Sequence, residues 1–386
     1  MRRIAVATGT RAEWGLLEPI CAAISGRADL ALEIFAGGSH LVAVRGSGSS
    51  DGAAAYTIGE VDAWAHVQSV RVRRFEMQRE GETGRFADAL ALGRGISRVA
   101  ELCRESDPDV VLVLGDRIEA LAAASAAAIA GIRVAHVHGG DRAEGVADES
   151  IRHAITKLAH LHFAASPTSA ARLLRLGEDP ARVHLVGSPA IEGLTEIKAR
   201  SQGSAAAAPR YVFLMHPIGR DDEAEERDAR IVLSELGRRG RTLVLLPNLD
   251  PGRDGIVRAI ESIACANRDR FDVSPHLARR DFLALVRDPN VLALVGNSSA
   301  GLLECAALGV RAVNIGSRQD GRERADNVRD VAEASVEALT ETLNTLETWS
   351  PSGRHPFGDG SPASRIAEIL GTFALDVCRV RKRNAF

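Results

Sequence analysis

Short continuous apolar runs alternate along this chain with longer segments of helical periodicity, and polar residues gather where the apolar runs stop. Residues 110–114 and 132–137 have the length and β-branched content of strands buried on both faces. Between them, the alanine-rich residues 118–130 have the length of a crossover helix. Together they predict a βαβ unit. The same reading places further strands at 4–8, 32–36, 161–165 and 183–186, and helices at 14–24, at 84–105 and from Asp148 onward. Residues 191–209 lose the apolar periodicity and end in SQGSAAAAPR, after which strands recur at 211–215, 242–246, 291–295 and up to Gly316. A chain of 386 residues exceeds what one hydrophobic core usually organises. We therefore expect an α/β protein with two Rossmann-like, doubly wound domains, 1–190 and 210–362, joined by a hinge at 191–209 and separated by a cleft. The amphipathic segment 363–386 is expected to pack back on the first domain, with the basic tail 379–383 as a solvated helix end.

In such sheets ligands bind beyond the carboxyl ends of the strands, where helix N-termini point unpaired N–H groups into the crevice. The polar residues sit at those ends. Gly115, Asp116, Arg117 and Glu119 follow one strand; His136, His138, Gly139, Gly140, Asp141, Asp148 and Glu149 belong to the end of the next. Asp148 and Arg152, like Glu149 and His153, are four apart and share a helix face, a spacing that also suits simple capping and intrahelical pairing. The first strand turns through Gly9 toward Arg11 without the GxGxxG pattern, which speaks against a nicotinamide cofactor. In the second half, His216 and Asn248 close two strands, and a third runs into Gly296, Asn297, Ser298, Ser299, Ala300 and Gly301. Small residues there admit a ligand close to the backbone, and hydroxyls and N–H groups donate to phosphate oxygens. A helix from Leu302 would add its positive end, and Glu304 would accept from ribose hydroxyls. Arg318, Arg322 and Arg324 form either a solvated face or a cover over a nucleotide. The glycine- and serine-rich residues 45–56 read as an ordinary surface loop.

Composition narrows the classes. A net charge of −3 argues against a nucleic-acid binder that works by neutralising phosphates. Only Lys157, Lys198 and Lys382 are lysine among 48 basic residues, a skew that lowers the weight of any single arginine. Five widely spaced cysteines suit neither a disulfide framework nor a zinc cluster. The first apolar run is too short for a signal peptide and none is long enough to span a bilayer, so we expect a cytoplasmic protein with no membrane partner.

The motifs TGTRAEWG at 8–15, GDRIE at 115–119, HVHGGDRAEGVADESIRHAITKLAHLHF at 136–163, HP at 216–217, PNLDPG at 247–252, and NSSAGLLE followed by VNIGSRQDGRERADNV together resemble one family. That family is the hydrolysing UDP-N-acetylglucosamine 2-epimerases, with relatives acting on nonulosonic-acid precursors. The resemblance implies a GT-B-like fold and elimination of the nucleoside diphosphate across C1 and C2 of the sugar. Water then adds to the glycal with inverted C2 configuration, without metal or redox cofactor. It implies acid/base roles for Asp116, Asp141 and Asp148, with His216 assisting the leaving group or a proton transfer. Arg11, Ser298, Ser299 and Gly301 would hold the diphosphate and Glu304 the ribose. Glu119, His138, Arg152, His153, Asn248, Asn297, Arg318, Arg322 and Arg324 would complete the substrate site. UDP-N-acetylglucosamine is the first substrate implied, with UDP-N,N'-diacetylbacillosamine or a GDP-linked sugar as alternatives, and the assembly implied is a homodimer or homotetramer. A glycosyltransferase of the same architecture and a non-catalytic nucleotide-sugar binding protein are the competing readings.

Overall fold

The computed structural model describes residues 1–42, 57–82, 84–142, 148–199, 209–248, 250–275, 277–375 and 382; of Asp148 and Thr195 only the backbone is described. The loop expected at 45–56 lies outside them. The chain divides into two compact units. One comprises Met1–Asp141, Ala147–Glu192 and Gly358–Phe386; the other comprises Arg142–Val146 and Gly193–Phe357.

The first unit runs β1 (Arg2–Thr8), α1 (Arg11–Ser25), β2 (Leu30–Gly37), α2 (Ile58–Gln68), β3 (Arg71–Phe75), α3 (Arg85–Ser106), β4 (Val110–Leu114), α4 (Ile118–Ile129), β5 (Arg133–Val137), α5 (Asp148–Leu158), β6 (Leu161–Ala164), α6 (Pro167–Arg175) and β7 (Val183–Leu185). Its seven strands are parallel in the order β3-β2-β1-β4-β5-β6-β7. Strand order reverses between β1 and β4, where Ile4 pairs with Val110, and this makes the switch point at which doubly wound sheets bind ligands. All five residues of β4 are buried because helices cover both faces. Leu112 meets Ile4, Val6, Trp14 and Leu17 on one face, while Val111 and Val113 meet Ala123 and Ala127 of α4 on the other.

The second unit repeats the plan with β8 (Tyr211–Leu214), α7 (Asp222–Arg239), β9 (Thr242–Leu245), α8 (Arg253–Ile263), β10 (Phe271–Ser274), α9 (Arg279–Val286), β11 (Ala293–Gly296), α10 (Glu304–Ala307), β12 (Ala312–Ile315), β13 (Val328–Val331) and α11 (Val336–Thr345). Six parallel strands follow the order β10-β9-β8-β11-β12-β13, reversing between β8 and β11. A final helix, α12 (Pro362–Thr372), returns to the first unit, where Ile366, Ala367 and Leu370 join the core that α1 covers.

Two details depart from the reading of the sequence. The helix expected from Leu302 is a 3₁₀ turn at Ser299–Gly301 followed by the single turn of α10, which ends before Gly309 at φ +65°. One turn aligns few peptide dipoles, so this site relies on individual donors rather than on a helix end. Lys382, expected in a solvated tail, instead pairs with the buried Glu178 and donates to Thr156 O at 2.8 Å.

Candidate active site

In the first unit, polar side chains meet at the ends of β4 and β5 and on the first turns of α5. Arg152 is 1% exposed, an arrangement that costs heavily unless its charge is matched. Two carboxylates match it: Asp116, just after β4, and Glu149, one turn earlier on α5, at 2.9 Å. The other oxygen of Glu149 receives His153 at 3.0 Å. The i,i+3 and i,i+4 spacings on α5 thus converge on Glu149, while Asp116 reaches Arg152 from a distant stretch of chain.

The two histidines at the end of β5 have different tasks. His136 is fully buried, donates from Nε2 to Gly115 O at 2.7 Å and accepts from the Thr156 hydroxyl at 3.3 Å; burial pushes it down to about 3, so its ring is neutral. It ties the ends of β4 and β5 to α5. His138 faces Asp141, Nδ1 to Oδ2 at 2.7 Å, and its Nε2 lies 3.0 Å from Ser188 Oγ. The second oxygen of Asp141 accepts from Ser169 at 2.7 Å.

At the end of β1, Thr10 caps α1 and Glu13 closes the reciprocal capping box, accepting from Gly9 N at 2.8 Å and Thr10 N at 3.1 Å. Burial, helped by the neighbouring charge of Glu119, pushes Glu13 up to about 7. Glu119 is itself buried, accepts from Gln78 at 2.7 Å and has Arg117 Nε at 3.5 Å. Glycine is required at position 9, because a Cβ there would lie 2.2 Å from Glu119 Cγ. Arg11, the first residue of α1, pairs with Glu60 of α2.

In the second unit the ends of β8 and β11 are clamped by one amide. Asn297, 2% exposed, accepts from His216 N at 2.7 Å and donates to His216 O at 2.8 Å. His216 Nδ1 accepts from Asn248 N at 3.2 Å, which puts the proton of a neutral ring on Nε2. Asn248 also meets Asp250. Ser298 accepts from Ala300 N at 3.4 Å and opens the Ser299–Gly301 turn, while Gly301 O accepts from Asn327 at 2.9 Å. Arg318 and Gln319 donate to Asn297 O at 3.3 and 2.8 Å. Arg324 forks onto Asp330 of β13 at 2.8 and 3.0 Å, and Arg322 presents its carbonyl to Arg324 at 2.7 Å. Glu304 opens α10, half-buried.

A sequence model described as UDP-N-acetylglucosamine 2-epimerase matches residues 65–371. The chain belongs to that family. A UDP-N,N'-diacetylbacillosamine 2-epimerase (hydrolyzing) of Legionella pneumophila is 32% identical over 100% of both chains. A UDP-N-acetylglucosamine 2-epimerase of Neisseria meningitidis is 28% identical over 93% of this chain and 99% of its own length. Among solved structures, the S. aureus MnaA-UDP co-structure superposes with a TM-score of 0.77 at 17% identity over 100% of both chains. The Neisseria meningitidis enzyme bound to UDP-GlcNAc gives 0.75 at 17% over 96% of this chain and 99% of that one. At those identities the superpositions establish the fold, which is GT-B-like. The family places the chain among enzymes acting on nucleotide sugars.

For this epimerase-family member, the structure brings Asp116, Glu149, Arg152 and His153 into one cluster and His138 with Asp141 into a second, both in the first unit. Arg11 and Glu119 stand at the ends of β1 and β4, each with its own partner. His216, Asn248, Asn297, Ser298, Ser299, Gly301, Glu304, Arg318, Arg322 and Arg324 lie in the second unit. Reading the sequence assigned no role to Glu13, Ser169, Ser188 or Gln319. The T-x-x-E spacing of Thr10 and Glu13 was a legible signal, and Ser166-Pro167 marks the start of α6, which carries Ser169. Nothing local in the sequence links Ser188 or Gln319 to its partner.

Proposed function

We propose that this chain is a hydrolysing 2-epimerase of a UDP-linked 2-acetamido sugar, releasing the C2-epimeric free sugar and UDP. The observation that carries the reading is a pair of clusters near the ends of β4 and β5: Asp116 and Glu149 with Arg152 and His153, and Asp141 with His138. A C2 proton is weakly acidic and needs a positioned base, while a departing diphosphate needs donors aimed at its growing charge.

In the proposed reaction a carboxylate among Asp116, Asp141 and Asp148 takes the C2 proton. The C2–H electron pair forms the C1=C2 bond as the C1–O bond to the diphosphate breaks. His216, carrying its proton on Nε2, serves the leaving group; Arg11, Ser298, Ser299 and Gly301 hold the diphosphate; and Glu304 holds the ribose. Water then adds its oxygen to C1 and gives up a proton to a carboxylate of the same set, while a second acid delivers a proton to the opposite face of C2. No metal or redox group is required by this sequence of bonds. The full-length similarity to a hydrolysing relative supports release of the free sugar over a nucleotide-bound product.

The 32% and 28% identities of the two bacterial relatives lie too close to choose between their sugars, so both substrates belong in the test. Incubation with UDP-N-acetylglucosamine and with UDP-N,N'-diacetylbacillosamine, followed by anion-exchange separation, should yield UDP and a reducing sugar in equal amounts from one of them. A nucleotide-linked epimer as the sole product would overturn hydrolysis. Recovery of both sugars unchanged would overturn the whole reading.

A further inference from the structure

Around Asp141 the hydrogen bonds form a chain. Ser166, the N-cap of α6, donates to Ser169 Oγ at 3.1 Å, and Ser169 donates to Asp141 Oδ1 at 2.7 Å. From the other side, Ser188 lies 3.0 Å from His138 Nε2, and His138 Nδ1 lies 2.7 Å from Asp141 Oδ2. Ser188 Oγ also accepts from Ala190 N at 3.2 Å. Ser169 and the His138 Nδ1–H both donate to the Asp141 carboxylate. A neutral ring held this way is the Nδ1–H tautomer, with the Ser188 hydroxyl at its other nitrogen.

The backbone is built to permit this. His138 sits at φ +64°, a conformation uncommon for a non-glycine residue. Gly140, at φ +77°, passes so close to α6 that a Cβ would lie 2.3 Å from Ser169 O. The HGGD turn is thus seated on the first turn of α6, which brings Ser169 to a carboxylate 28 positions away in the chain. Ser188, His138 and Asp141 share the connectivity of a hydrolase triad, but Ser188 is 0% exposed and already accepts a backbone N–H, so it cannot attack a substrate. The more open end of the chain is the carboxylate, whose side chain is 12% exposed against 9% for His138.

We propose that Ser169, His138 and Ser188 are positioning residues that hold the Asp141 carboxylate in one orientation as a proton acceptor. The proposal rests on the reading of Asp141 as an acid/base group. Ser169 and His138 fix the plane of the carboxylate, and Ser188 fixes the ring that faces it. Losing the Ser169 hydroxyl removes a donor from the charged form of Asp141, which favours the protonated form.

Two measurements on the full-length protein test this. The kcat–pH profile of Ser169→Ala should have its acid limb moved up by about one pH unit, with kcat on the descending part of that limb reduced about tenfold, the plateau nearly unchanged and KM changed less than about twofold. A lower melting temperature with an unmoved acid limb would overturn the proposal, because a purely structural serine predicts that result. Separately, ring ¹⁵N spectra of histidine-labelled resting protein, with His138 assigned by loss of its signals in His138→Gln, should show Nδ1–H. An Nε2–H ring would overturn the relay whatever the turnover. If neither nucleotide sugar is consumed but the ring is Nδ1–H, the relay stands and the failure lies in the assigned reaction.

Discussion

The two sheets share a plan, yet the residues at their strand ends differ in kind. The first unit places carboxylates, histidines and a buried arginine at the ends of β1, β4 and β5: Glu13, Asp116, Glu119, His138, Asp141, Glu149 and Arg152. In the second unit the corresponding ends of β8 and β11 carry an amide clamp, a histidine whose Nδ1 accepts a backbone N–H, serine hydroxyls and a glycine turn. Proton transfer needs groups that change charge; holding a diphosphate needs donors that do not. Under the proposed function the first unit does the chemistry at C2 and the second holds the nucleotide.

The sharpest way to break this division is Asp116→Asn. Turnover should fall by about 10²–10⁴-fold while UDP affinity, measured by calorimetry, stays nearly unchanged. Unchanged turnover would remove Asp116 from the mechanism. Next in size is Asn297→Ala, which leaves His216 N–H and C=O without their partner and should cost about 2–3 kcal/mol in urea denaturation, with weaker UDP binding. The acid limb of its kcat–pH profile should stay where it is in the wild type, since the carboxylates of the first unit are not touched.

A smaller effect separates the units by pH. Glu13 is pushed up to about 7 in the folded state, above its ordinary value of 4.5. The protonated group therefore favours folding below pH 4.5, and that contribution is lost as pH rises through 7. Glu13→Gln keeps an acceptor for Gly9 N and Thr10 N and should be about 2 kcal/mol more stable than wild type at pH 8 yet equal to it at pH 4. Equal stability at both pH values would mean that Glu13 is not the burdened carboxyl. Smallest of all, Arg324→Ala removes a partly exposed pair with Asp330 and should change stability by less than about 1 kcal/mol. A large loss of UDP affinity in that variant would give Arg324 a role in nucleotide binding.

Much of the strand order is legible in the sequence, because strands buried on both faces read as unbroken apolar runs. That is why β4 and β5 stood out, and why the residues following β8 and β11 were noticed. Two of the edge strands hide: β3 is RVRRF and β13 is VRDV, half in solvent and without such a run. Local spacing foretold that Glu149 and His153 share a face, but not that Arg152 chooses Asp116, which lies on another element. Likewise α6 went unread, and with it Ser169. Contacts across the fold leave no periodicity in the sequence.

The most direct test of the central claim is proton NMR of the purified protein with each UDP-sugar in deuterated water. The account predicts free UDP together with the C2-epimeric sugar carrying deuterium at C2, at a rate reduced by Asp116→Asn. Product that retains its C2 proton, or an epimer still attached to UDP, would contradict it.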